Sequence, residues 1–281
     1  MARRGRVLPA GILPRALAMV AALALMVAGC AKKEASDRSD RSGAREDSVP
    51  TIVHEMIAAH GGMDAWKSAP TVSFEDEFVV AGAPPSVSRV VVEQGPRRAH
   101  IQYPAKGTVA ACDGDSCWSR NWNEPLPPRF VMLLNYYFLN LPWLTMDPGV
   151  KLAEQGTGTF GSDSARTNTV MMTFQPGTGD TPNDYYRLHI DPVTKRLRGY
   201  QYIATYRAIM PPGAASSPEN TLVYDSLATV SGLLVPVKYT IYGPDQKSIA
   251  TCTIRNWSFA RSFEESRLTM IPGAVMDRST P

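Results

Sequence analysis

The chain has 281 residues, of which 44% are hydrophobic and 20% are charged, and its formal net charge is +3. Four arginines and no acidic residue lie in residues 1–29, so the remaining chain has a net charge of −1 and gives no charge argument for nucleic-acid binding. A chain of this length buries one substantial core or two small ones.

Residues 1–29 have the layout of a secretory signal, with arginines first and an apolar run over residues 16–28. The run is too short for a comfortable membrane span, and no later apolar run reaches about 18 residues. It ends in Val-Ala-Gly followed by Cys30, which resembles the lipobox of bacterial lipoproteins. The resemblance implies that residues 1–29 are removed and that Cys30 carries a diacylglycerol thioether and an acylated amino group. An uncleaved anchor and a simple secretory signal are the alternatives.

Residues 30–49 contain no aromatic side chain and scarcely an apolar one. Such a segment cannot bury enough surface to offset the entropy lost on ordering, so we predict a flexible, lipid-anchored tether. Ala31 stands where an aspartate commonly retains lipoproteins in the inner membrane. The sequence therefore predicts anchoring in the bacterial outer membrane, facing the periplasm.

The folded domain is predicted over residues 50–265 and begins with a helix. Its apolar stripe is formed by Ile52, Val53, Met56 and Ile57, which recur at helical spacing. The pair of glycines at residues 61–62 ends this helix, and a short second helical turn follows.

From residue 71 onward the apolar period changes from about four to two, as expected for strands. Asp76 interrupts the apolar face of the first strand, so it either points inward or marks a bulge. Short strands separated by turns predict an antiparallel sheet folded as a meander. The further strand-like segments are residues 90–92, 99–103, 109–111, 118–122, 150–153, 167–174, 185–190, 197–205, 221–227, 233–242 and 248–259. Residues 266–281 are predicted to be a weakly structured tail.

One helix interrupts the sheet, and it is the most hydrophobic stretch after the signal. Its apolar side chains follow the i, i+3, i+4, i+7 pattern. They are Phe130, Leu133, Leu134, Tyr137, Phe138 and Leu141, and Trp143 and Leu144 extend the apolar surface.

Cys112 and Cys117 flank a four-residue turn signal between two strand-like segments. If residues 114 and 115 form a two-residue loop, the cysteines face each other as a non-hydrogen-bonded pair, with Cα atoms about 4.5 Å apart. We predict a disulfide, which an exported compartment permits, and two free thiols are the alternative. Cysteines at this spacing without a second ligand pair are a weak zinc signal.

Several short motifs resemble LolA-like exported bacterial proteins of the lipoprotein-carrier superfamily. They are the His-Gly-Gly-x-x-x-Trp sequence at residues 60–66, and segments at residues 113–118, 138–143, 146–150 and 232–236. The match is to an uncharacterised family within that superfamily. It implies a mainly β (α+β) fold, with a large curved antiparallel sheet or incomplete β-barrel and an N-terminal and a central helix on its concave side.

In the lipoprotein carriers of that superfamily the cavity holds acyl chains. The resemblance thus implies a cell-envelope lipoprotein that binds a hydrophobic ligand, a lipid or a lipoprotein acyl chain. The candidate lining residues are Phe130, Leu134, Tyr137, Phe138, Leu141 and Trp143. The alternatives are a protein-interaction or envelope-stress module whose own side chains fill the cavity, and a hydrolase of unknown substrate.

The sequence contains no complete catalytic or metal-binding motif. His54 and Glu55 begin a His-Glu-x-x-His pattern, but Ala58 stands where the second histidine is required. No Gly-x-Ser-x-Gly sequence and no glycine-rich phosphate loop is present. We therefore predict no catalytic residue, no metal and no cofactor, and the expected partners are the membrane, through Cys30, and the hydrophobic ligand.

Overall fold

A computed structural model describes residues 49–114 and 116–277. In this part of the chain, thirteen antiparallel strands form one curved sheet that does not close, in the order β13-β5-β4-β3-β2-β1-β12-β11-β10-β9-β8-β7-β6. The strands are β1 (Thr71–Val80), β2 (Ser86–Glu93), β3 (Ala99–Tyr103), β4 (Thr108–Asp113), β5 (Ser116–Arg120), β6 (Val150–Phe160), β7 (Ala165–Phe174), β8 (Tyr185–Ile190), β9 (Leu197–Ile203), β10 (Asn220–Val230), β11 (Leu233–Tyr242), β12 (Ser248–Ala260) and β13 (Val275–Asp277).

Three α-helices accompany the sheet in the described residues: α1 (Thr51–Ala59), α2 (Met63–Lys67) and α3 (Pro128–Leu144). The buried stripe of α1 and most of α3 join the inner face of the sheet in one hydrophobic core. This arrangement confirms the predicted fold class, a mainly β domain with an open curved sheet and helices on its concave side. None of these helices is long and apolar enough to cross a membrane.

The sheet consists of two meanders that meet at one strand pair. Strands β1 to β5 follow one another in space as in sequence, and so do β6 to β12. The meanders join where β1 pairs with β12, with Thr71 opposite Ala260. The middle of the sheet is therefore built from the most distant parts of the folded chain.

The alternation of β1 is unbroken, and this decides where Asp76 points. A register shift lies between Ser73 and Glu75 in the β1–β12 pairing, and the extra residue belongs to β12. Asn256 of β12 has a positive φ of 55°, as expected at a bulge. Since β1 keeps its period of two, Asp76 lies on the inner face with Phe74, and its side chain is buried.

The His-Gly-Gly-x-x-x-Trp motif is a structural joint between α1 and the sheet. The ring of His60 contacts two strands: Nδ1 lies 2.7 Å from the carbonyl oxygen of Leu234, and the N–H of Leu197 donates to Nε2 at 3.0 Å. Gly61 has a φ of +102°, and a Cβ there would lie 2.3 Å from the carbonyl oxygen of Gly232. Only glycine fits this close approach.

The hairpin that carries two of the cysteines matches its prediction. Cys112 and Cys117 are directly opposite in the β4–β5 register, and they form a disulfide with a Cα–Cα distance of 4.1 Å. Cys252 is free and buried in the core.

The tail differs from the sequence-based expectation of weak structure. Strand β13 pairs with β5, with Met276 opposite Trp118. The indole N–H of Trp118 donates to the carbonyl oxygen of Leu268 at 2.8 Å, and Leu268 and Ile271 pack on the outer apolar cluster of the sheet. A three-residue strand is too short for an alternating pattern to reveal it.

Candidate functional site

Helix α3 begins after Pro127 and has Pro128 in its first turn, where a missing N–H costs nothing. A second proline, Pro142, lies inside its last turns. Because Pro142 has no N–H, the carbonyl of Phe138 lacks its helical donor. Two buried tyrosines replace it: the hydroxyl of Tyr224 lies 2.5 Å from that oxygen, and the hydroxyl of Tyr200 lies 3.3 Å away.

The residues around Pro142 are fixed in the core. Trp143 is 1% exposed and stacks on Trp66 with ring centroids 4.7 Å apart. His60 meets the same indole edge-on at 6.0 Å. The C-terminal part of α3 is thus held by aromatic packing and by two tyrosine hydrogen bonds.

The N-terminal part of α3 separates two cavities. Val131 and Asn135 border the first cavity, Phe130 and Leu133 border the second, and Leu134 borders both. Each cavity is therefore bordered by a different side of the helix, and Leu134 belongs to the walls of both.

The first cavity has about 910 Å³ of empty space, including its solvent-filled mouth. Its walls come from α3, from strands β1, β2, β3, β9, β11 and β12, and from the segment that precedes α3. Most of the lining side chains are apolar or aromatic, a composition typical of sites for hydrophobic ligands. They are Phe78, Val80, Tyr103, Pro125, Leu126, Val131, Leu134, Phe138, Tyr202, Tyr239, Ile241, Ile249 and Ala250.

Asp76 is the one deeply buried carboxylate in this apolar wall, with 3% of its surface exposed. The hydroxyl of Ser88 donates to its Oδ1 at 2.6 Å, and the amide of Asn135 on α3 donates to its Oδ2 at 2.7 Å. Burial raises the pKa of Asp76 to about 6, although the hydrogen bonds from Ser88 act in the opposite direction. The carboxylate joins α3 to the sheet and also borders the cavity.

The mouth of the first cavity has a second carboxylate, that of Glu124. The ammonium group of Lys106 lies 2.8 and 2.9 Å from its two oxygens. Among the described residues that line this cavity there is no lysine, arginine or histidine. Asp76 and Glu124 can only accept when ionised, whereas the hydroxyls of Ser86 and of three tyrosines and the amide of Asn135 can donate or accept.

The second cavity, of about 790 Å³ with its open mouth, is more polar. Arg129 at the start of α3 forms a two-point ion pair with Asp180, at 2.6 and 2.9 Å. Arg97 pairs with Asp147 and donates to the hydroxyl of Tyr136 at 2.5 Å. Both cations are already paired within the chain. Because these ion pairs make its lining polar, this cavity is the weaker candidate for a hydrophobic ligand.

Four of the six predicted lining residues border a cavity. Phe138 lines the first, Phe130 and Tyr137 line the second, and Leu134 lines both. Leu141 and Trp143 line neither of the two cavities, because both are packed in the core. The prediction that these two residues contact the ligand is therefore not carried further.

Sequence reasoning missed the polar part of the site. Asn135 was hidden inside an apolar helix pattern, and Ser88 lies opposite Asp76 only in the final β1–β2 register. Tyr202 and Tyr239 come from strands far along the chain. The one signal available in the sequence was the break that Asp76 makes in an otherwise apolar strand face.

Two further groups of predictions concern catalysis or metal binding and the lipid anchor at Cys30. Among the described residues, no three side chains of His, Cys, Asp or Glu are grouped as a metal site would require. No histidine lines the cavity that contains Asp76. Cys30, the signal of residues 1–29 and the tether up to residue 48 lie outside the described residues.

The fold is similar to those of solved bacterial proteins. A DUF1329 family protein from Desulfovibrio piger ATCC 29098 matches with a TM-score of 0.52 at 11% identity, over 78% of this chain and 95% of that chain. The LolA superfamily protein NE2245 from Nitrosomonas europaea has a TM-score of 0.49 at 9% identity, over 78% of this chain and 96% of that chain. No protein-family model matches the chain, and no curated protein is significantly similar to it. At 11% identity, the match to the DUF1329 family protein is a similarity of fold alone.

Proposed function

We propose that this protein is a cell-envelope lipoprotein that binds a hydrophobic ligand, a lipid or an acyl chain, in the first cavity. The observation that supports the proposal is the cavity itself. Its walls are mainly apolar and aromatic side chains from a helix and five strands.

Several features distinguish this cavity from a packing defect. Protein interiors are close-packed, and voids larger than a water molecule are few. Here Val131 and Leu134 of α3 remain partly exposed beside it. The hydrogen bond between Asn135 and Asp76 holds the helix in place above the cavity.

The anchor completes the proposal. The lipid predicted on Cys30 and the tether of residues 30–49 would hold the domain beside the outer membrane, facing the periplasm. An anchored domain of this kind acts as a receptor or as a fixed binding protein. It does not diffuse freely as a carrier.

The ligand-binding proposal is tested by native mass spectrometry of the full-length protein purified from cell membranes. Val131→Asp places a charge in the first cavity, and Leu133→Asp places the same charge on the same helix, in the second cavity. We expect a co-purifying lipid in the wild type and in Leu133→Asp, and its loss in Val131→Asp. Absence of any bound lipid in the wild type would favour an interaction module with a self-filled cavity.

The anchor is tested separately by cell fractionation. Cys30→Ala should move the protein from the membrane to the soluble fraction, because the lipid attachment site is gone. A Cys252→Ala variant, which removes a buried cysteine instead, should stay with the membrane. Persistent membrane attachment of Cys30→Ala would contradict the lipoprotein assignment.

A further inference from the structure

The charged side chains that line the first cavity are unusual for a site that binds a hydrophobic ligand. Its two ionisable acids are Asp76 and Glu124, and none of the described lining residues is a cation. Glu124 is neutralised at the mouth by Lys106. Asp76 is deeply buried, its hydrogen bonds come from neutral groups of Ser88 and Asn135, and it has no ion pair among the described residues.

A buried carboxylate without a cation needs hydrogen bonds to compensate for lost hydration. An ionised carboxylate has about four acceptor positions. The hydroxyl of Ser88 donates to Oδ1 and the amide of Asn135 to Oδ2, and the backbone of Ser88 contributes a further hydrogen bond to the carboxylate. The remaining position belongs to a side chain that borders the cavity, so a ligand in the cavity is placed to supply a further donor.

The same arrangement disfavours an anionic group inside the cavity. A ligand carboxylate or phosphate would meet Asp76 in a low-dielectric site, where like charges repel strongly. No lysine, arginine or histidine lines the described cavity to compensate that charge. A purely apolar chain would cover Asp76 without donating to it, which leaves the carboxylate under-satisfied.

We propose that the ligand of the first cavity is an uncharged amphiphile, in which an apolar chain bears a hydroxyl group that donates a hydrogen bond to Asp76. This inference rests on the proposed function and specifies its ligand class. Asp76 is then the residue that determines specificity, while the apolar walls provide most of the contact area. Asn135 holds the carboxylate from the helix side and Ser88 from the sheet side.

The test uses the full-length protein transferred from detergent into amphipol. A dodecanol that carries a photoreactive diazirine is cross-linked to the protein at pH 8, and the labelled peptides are mapped by mass spectrometry. Unlabelled dodecanol, dodecanoate and dodecane then compete for labelling. We expect labelling at residues that line the first cavity and competition by dodecanol at least about 10-fold stronger than by the other two compounds.

Variants connect this preference to the carboxylate. Asp76→Leu should reduce the preference for dodecanol over dodecane to below about 3-fold, because the acceptor is lost. Asp76→Asn keeps the shape and removes the charge, so dodecanoate should compete better than in the wild type. Glu75→Gln removes a neighbouring charge on the opposite face of β1 and should change neither preference.

The outcomes separate the inference from the function on which it rests. Equal competition by all three compounds, or an unchanged preference in a folded Asp76→Leu or Asp76→Asn variant, would overturn the hydroxyl-bearing ligand and leave hydrophobic binding intact. If neither the photoreactive dodecanol nor a matching photoreactive dodecane labels the first cavity, the proposed function itself fails.

Discussion

Residues 138–144 of helix α3 are all buried, whereas residues 128–137 alternate between buried and partly exposed side chains. The C-terminal part is held by Trp66, His60 and two tyrosine hydroxyls. The N-terminal part borders two cavities, and its polar contact with the inner sheet face is the Asn135–Asp76 hydrogen bond. One helix thus combines a part that is fixed in the core with a part that borders the two cavities.

The physical reason for the contrast lies in which neighbours each part has. Tight aromatic packing leaves the C-terminal part no room, so substitutions there should reduce stability. The N-terminal part faces empty space and a buried charge, so substitutions there should alter binding more than stability. The following predictions test this division.

The largest effect is expected for Trp143→Ala. Removal of a buried indole that stacks on Trp66 leaves a cavity in the core and should lower the free energy of unfolding by about 3 to 5 kcal/mol. Leu133→Ala, on the partly exposed part of the same helix, should lower it by less than about 1.5 kcal/mol. Urea denaturation measures both variants, and similar losses would contradict the division of α3.

Asp76→Asn should increase stability at pH 8. The pKa of Asp76 is raised from 3.8 to about 6 by burial, so the folded state binds this proton more tightly than the unfolded state. The ionised form is then destabilising above pH 6, by up to about 3 kcal/mol. The gain of Asp76→Asn over the wild type should shrink as the pH falls through 6 and vanish near pH 4.

Thermal unfolding of both proteins between pH 4 and 8 checks this prediction. A variant that is less stable than the wild type at pH 8 would mean that Asp76 is a purely structural acceptor. A stability gain together with altered ligand preference would show that the carboxylate is retained for binding.

His60 should make the fold sensitive to acid. Burial lowers its pKa from 6.5 to about 4, although the hydrogen bond to the carbonyl of Leu234 acts in the opposite direction. The unfolded state therefore binds the proton first as the pH falls below 6.5. Between pH 7.5 and 5 the wild type should lose about 2 kcal/mol more than His60→Asn does. Parallel pH profiles for the two proteins would contradict the assignment.

A smaller effect is expected for Tyr224→Phe. It removes the 2.5 Å hydrogen bond to the carbonyl oxygen of Phe138, which keeps the longer bond from Tyr200. The loss in unfolding free energy should be about 1 to 1.5 kcal/mol. Tyr242→Phe, on the partly exposed end of β11, is the matched control and should leave the stability almost unchanged. Ligand binding should survive in both variants.

The sequence predicted the helix α3 well but did not show which side faces the core. Apolar side chains surround much of the helix, so spacing alone could not separate the two sides. Met132, Tyr136, Leu139 and Trp143 form a fully buried stripe. All residues of the predicted stripe except Leu141 border a cavity instead. The orientation depends on where Trp66 and the strands lie, which is tertiary information.

The alternating pattern of β1 likewise indicated that Asp76 could point inward. It could not show which residues hydrogen-bond to the carboxylate. Ser88 faces Asp76 through the β1–β2 register, which a five-residue connection leaves open. Asn135 reaches it because α3 docks across the sheet. In contrast, the short turn between Cys112 and Cys117 fixes its own register, and the predicted pairing was confirmed.

Because β1 pairs with β12, the order in which the parts of the fold can form during synthesis is restricted. The first cavity takes Asp76, Phe78 and Val80 from β1, and Ile249 and Ala250 from β12. A chain that emerges N-terminus first has made β1 and α3 long before residues 248–260 exist. Contacts this distant in sequence form slowly. The first cavity therefore cannot assemble until almost the whole domain has been synthesised, and until then its apolar wall is open to other hydrophobic partners.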